Sequence, residues 1–90
     1  METILIVDDD AGFRGLMETI LRGEGYAVET AGTVAEAKAC ANRKSYHLLI
    51  ADLKLPDGSG LDLVRYWKRE APEAPVIMIT GFGTVASAVE

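Results

Sequence analysis

Residues 3–10 read Thr3-Ile4-Leu5-Ile6-Val7-Asp8-Asp9-Asp10, an aliphatic, β-branched run that stops abruptly in three carboxylates. An unbroken apolar run suits a strand covered on both faces, as in a parallel sheet; a half-exposed strand would alternate with polar residues. The acids then sit at the strand's carboxyl end. From Ala11 to Arg22, Phe13, Leu16, Met17, Ile20 and Leu21 recur at helical spacing, and Gly23 and Gly25 supply stop signals. Ala27 to Ala31 can form a second strand, and Thr33 with Glu36 has capping-box spacing for an alanine-rich helix to about Arg43. His47 to Ala51 supplies a third strand, followed by the loop Asp52-Leu53-Lys54-Leu55-Pro56-Asp57-Gly58-Ser59-Gly60. A third helix carries Leu61, Leu63, Val64 and Trp67 and is closed by Pro72 and Pro75 before Val76 to Ile79, a fourth strand. Thr84 opens a final helix that runs to Glu90.

Strands alternating with helices predict an α/β fold: an open parallel sheet with right-handed crossovers, whose strand-end loops share one edge. Ligands bind such sheets outside the carboxyl ends of the strands. That edge gathers Asp8, Asp9, Asp10, Asp52, Thr80 and Gly81.

With 90 residues, 49% hydrophobic and 26% charged, the chain has room for one domain. A chain of this size buries only about 60–65% of the surface its unfolded form exposes, so the core is thin and stability marginal. The net charge is −5 and the basic residues are scattered from Arg14 to Arg69, which argues against direct nucleic-acid binding. No apolar stretch approaches the roughly 18 residues of a membrane span, and Met1-Glu2-Thr3 lacks a signal peptide's basic flank, so a cytoplasmic location is expected. Cys40, among Ala37, Ala39 and Ala41, reads as a small buried residue. His47 reads as a partly buried structural side chain, and Tyr66 and Trp67 as packing residues of the third helix.

If the first and third strands are neighbours, Asp8, Asp9 and Asp52 converge. At about 5 Å and an effective dielectric near 20, each pair of carboxylates repels by roughly 3 kcal/mol, so the group needs a counter-ion or a raised pKa. An oxygen-only acidic pocket is the kind magnesium uses. Asp10 is assigned to capping the following helix, and Asp57 fits a turn-forming role. Thr80, at the end of the fourth strand, can offer a hydroxyl to a phosphoryl oxygen.

Taken in order, Ile4-Leu5-Ile6-Val7-Asp8-Asp9-Asp10, Asp52 through Gly60, and Ile77-Met78-Ile79-Thr80-Gly81 resemble the receiver domain of bacterial two-component response regulators. The resemblance runs through the whole chain, residues 1–90. It implies a flavodoxin-like sheet of order 2-1-3-4, with Asp52 as phospho-acceptor and Thr80 binding the phosphoryl group. It implies Mg2+ held by Asp9, Asp52 and the Lys54 backbone carbonyl, with Asp8 supporting the metal through water. A histidine kinase would be the donor, and an effector, most often transcriptional, the output. Self-phosphorylation and autodephosphorylation are expected at most; a dedicated enzyme is not.

Receivers also carry a lysine at the end of a fifth strand. Lys38, Lys44, Lys54 and Lys68 all precede that point, so the chain reads as a receiver lacking its fifth strand and last helix. Two alternatives follow: an inactive pseudo-receiver or assembly fragment that binds proteins, and a magnesium-dependent phosphohydrolase. The latter wants an acid two residues after Asp52, where Lys54 stands. An apolar fourth strand at the sheet edge predicts self-association there.

Overall fold

The computed structural model describes residues 2–79 and, as backbone, 85–87. Its elements in chain order are β1 (Thr3–Val7), α1 (Ala11–Gly23), β2 (Ala27–Ala31), α2 (Val34–Arg43), β3 (Leu48–Asp52), β4 (Lys54–Leu55), β5 (Gly58–Ser59), α3 (Gly60–Glu70), β6 (Val76–Ile79) and β7 (Val85–Ser87). The main sheet has the order β2-β1-β3-β6-β7, and β1 pairs in parallel with β2 and β3, as β3 does with β6. Counting only the four long strands, this is the expected 2-1-3-4 order.

Ile4 to Val7 are all buried, as the unbroken apolar run requires of a central strand. Asp10 caps α1 and Thr33 caps α2, each with a side-chain oxygen accepting backbone N–H groups of the first turn. Gly25, with φ 96°, turns the chain out of α1: its N–H reaches the Arg22 carbonyl while that of Tyr26 reaches Leu21. A side chain there would be strained.

Among the described residues the two faces of the sheet are unequally covered. On one, Leu5, Val7, Leu49, Ala51, Val76 and Met78 meet Ala37 and Cys40 of α2 and Leu63, Val64 and Trp67 of α3. Cys40 is thus buried, as expected. On the other, Ile4, Ile6, Val28 and Ile50 are met by Met17 and Leu21 of α1, a helix that itself has no fully buried residue. Leu16 and Ile20 stay exposed, and beside Leu21 a groove of about 370 Å³ runs along Ile4, Tyr26, Ile50 and Ile77.

Three expectations need correction. The helix expected from Thr84 is not what residues 85–87 form: Val85–Ser87 is a strand antiparallel to β6, with Ile77 opposite Ser87 and Ile79 opposite Val85. A helix of two turns is unstable alone, whereas an open sheet edge offers ready backbone partners. By the same pairing the edge of β6, expected to be exposed, is occupied. His47 is exposed and precedes β3; its Nδ1 accepts the Thr3 N–H at 3.0 Å.

Candidate functional site

The parallel register sets the site. Val7 pairs with Ala51, and Asp52 pairs with Ile79, so Asp8 leaves β1 level with Asp52 at the end of β3. Asp8, Asp9 and Asp52 can each present a carboxylate oxygen such that all three lie within 4.8 Å of one another. Asp8 is buried, Asp52 half-buried and Asp9 exposed. Burial pushes the Asp8 carboxyl above its ordinary value, a bond from the Asp10 N–H opposes this, and the charges of Asp52, Asp9 and Asp10 push it further up. That bond, from Asp10 N–H to Asp8 Oδ1, is 2.9 Å long. Asp10 itself is turned to α1, accepting from Gly12 and Phe13, and so takes the capping role expected of it.

Arg14, not singled out in the sequence, and Gly60, read there only as part of the loop motif, brace this corner. Arg14 of α1 donates from Nη1 to the Asp8 backbone carbonyl at 2.6 Å, placing a cation behind the acids. Gly60 opens α3 directly under Asp52: a Cβ there would collide with the Asp52 carbonyl and come within 3.0 Å of Met78 Cε, so only glycine permits the approach. Helical spacing gave no sign of either, because both act across elements.

The loop after Asp52 is more ordered than its turn residues suggested. The Leu53 N–H bonds to the Ile79 carbonyl at 3.0 Å, and the Gly60 N–H to the Leu53 carbonyl at 2.7 Å. Between them Lys54–Leu55 and Gly58–Ser59 form a small antiparallel hairpin. Lys54 is its exposed first residue, two positions beyond Asp52. Asp57 lies in the hairpin turn, as expected, but its carboxylate also reaches α2. Thr80 lies outside the described residues.

An all-oxygen donor set with converging negative charge fits a hard divalent cation and suits neither thiolate nor imidazole chemistry. Among the described residues no other cluster of this kind occurs.

The family model described as the response regulator receiver domain matches residues 4–90. The chain belongs to that family. This receiver is 41% identical over 86 residues to the response regulator protein PilR of Pseudomonas aeruginosa, covering 96% of the chain and 19% of PilR. Among solved structures, the CheY-like response regulator receiver domain protein of Methanospirillum hungatei superposes with a TM-score of 0.89 at 37% identity, covering 93% of this chain and 67% of that one. The response regulator TrrA of Thermotoga maritima, in complex with Mg2+–BeF, gives 0.84 at 34% identity, covering 89% of this receiver and 70% of TrrA. The receiver spans between 19% and 48% of the length of the curated relatives it matches.

Receivers of this family are the phospho-acceptor modules of two-component signalling, and response regulators form the group to which these relatives belong. Among the described residues, no helix is long and apolar enough to cross a membrane.

Proposed function

We propose that this receiver accepts a phosphoryl group on Asp52 from a histidine kinase and thereby controls an effector, most readily a transcriptional one. The observation that carries the reading is the convergence of Asp8, Asp9 and Asp52, with Asp52 half-buried at the end of a central strand. An ionised Asp52 oxygen attacks phosphorus in line, and the bond to the donor nitrogen breaks as the acyl phosphate forms. Thr80 would donate its hydroxyl to a phosphoryl oxygen. Asp9, Asp52 and the Lys54 carbonyl would hold Mg2+, with Asp8 behind them through water. The bound ion would offset both the carboxylate repulsion and the charge of the transferring group.

The carboxylate geometry favours this over the assembly-fragment alternative, which has no use for three converging acids. The cytoplasm, where such kinases present their phosphohistidine, is the compartment this role requires. Self-association through the edge of β6 would require Val85–Ser87 to give way, and light scattering over a concentration series reads it directly.

Incubation with acetyl phosphate and Mg2+, followed by intact mass, tests the central reading. The native chain should gain one phosphoryl group, slowly, and Asp52→Asn none. Equal gain by both would overturn the assignment of Asp52.

A further inference from the structure

The hairpin that carries Lys54 is fixed at both ends. Its base is fastened to the sheet by the Leu53 and Gly60 bonds described above. Its tip is fastened to α2: Asp57 Oδ1 accepts the Val34 N–H at 2.8 Å and Oδ2 accepts the Ala35 N–H at 3.0 Å. These are the first two N–H groups of the helix, which have no partner within it. A carboxylate there also meets the positive end of the helix dipole. Thr33 deals separately with the Glu36 N–H, at 3.0 Å. Gly58 lies alongside the same helix end, close enough that a Cβ added there would sit 3.5 Å from Val34 Cγ2. The Val34 bond, then the Ala35 bond, hold the Asp57 carboxyl below its ordinary range, so it stays ionised across neutral pH.

We propose that Asp57 is a positioning residue of the phospho-acceptor site: by bolting the hairpin tip to the N-terminus of α2 it holds the Lys54 backbone where it can serve the metal. The inference rests on the site reading given under Proposed function. The hairpin has only β4 against β5 to stiffen it, two residues on each strand, and so isolated a ribbon is not rigid by itself. With the bolt removed, Lys54 keeps its identity and loses its fixed place.

The test is an Mg2+ titration of the chain, followed by the amide NMR signals of Asp9, Asp52 and Lys54. Asp57→Ala should weaken Mg2+ binding by about tenfold, the lower end of what loss of an outer partner costs a metal site. Asp57→Asn keeps one acceptor oxygen and should fall between the two, and it serves as the reading should the alanine variant not fold. Thr33→Ala removes a cap from the same helix end without touching the hairpin, and should bind Mg2+ as the native chain does. Native-like binding by both Asp57 variants would overturn the proposal. So would an equal loss in Thr33→Ala, since the effect would then run through helix stability alone. Native-like binding by Asp52→Asn would instead overturn the site reading, a failure visible separately from that of the latch.

Discussion

At Asp8, burial and ionisation pull in opposite directions. Its carboxylate is buried beside Asp9 and Asp52, and its pKa is raised above the ordinary 3.8, first by desolvation. A folded state that binds the proton more tightly than the unfolded one gains stability at low pH and loses it as pH rises through the folded pKa. Asp8→Asn removes that charge and keeps an oxygen able to accept the Asp10 N–H. Without Mg2+ at neutral pH, this variant should therefore withstand more urea than the native chain, and with Mg2+ the order should narrow or reverse. Urea midpoints with and without the ion read both. The pocket acids were legible in the sequence because each lies at or just past the end of an apolar strand, Asp52 as the last residue of β3 and Asp8 and Asp9 beyond β1. Asp57 and Arg14 were not: Asp57 serves a helix that begins more than twenty positions earlier in the chain, and spacing rules reach only a turn or so. His47 was misread because a strand boundary one residue late leaves a side chain outside the core.

Elements joined by one side chain give a second kind of prediction. Glu29 of β2 accepts from Lys44 Nζ at 2.8 Å and from Tyr46 Oη at 2.7 Å, tying the strand to the segment that leads into β3. The Lys44 bond, then the Tyr46 bond, hold its carboxyl below the ordinary 4.5. A depressed folded pKa gives stability that is present above the unfolded value and is lost as pH falls through the folded one. Glu29→Gln should therefore be less stable than the native chain at neutral pH, and the two should converge as the pH falls below the ordinary 4.5 and on through the depressed folded value. Chemical denaturation at a series of pH values checks it. Four strands and three helices were legible at this scale from period and caps. The hairpin of β4 and β5 was not, since two-residue strands carry no periodicity. Val85–Ser87 misled the reading for a different reason: its small and β-branched residues suit either state, and an available sheet edge decided.

The unequal covering of the sheet governs the molecule as a whole. Leu63 is fully buried between α3 and the sheet, so Leu63→Ala should cost about 2–5 kcal/mol, whereas exposed Leu16 on α1 should cost within about 0.5 kcal/mol. Urea unfolding distinguishes them, and comparable losses would mean that α1 bears more of the fold than its exposure indicates. Fold order was legible at this scale because alternation and right-handed crossovers leave few topologies; the imbalance between faces was not, since it depends on what lies over each. The central place of β1 has one more consequence. Of the strands described, β1 is made before its two neighbours, with β2 on one side and β3 on the other. A growing chain can therefore close β1 on β2 early, yet Asp8 and Asp9 must wait until Asp52 emerges and β3 docks before the three carboxylates can converge. Convergence of the three acids is thus acquired in the same event that completes the middle of the sheet, and a chain stalled during synthesis before that point would have its first two acids but no pocket.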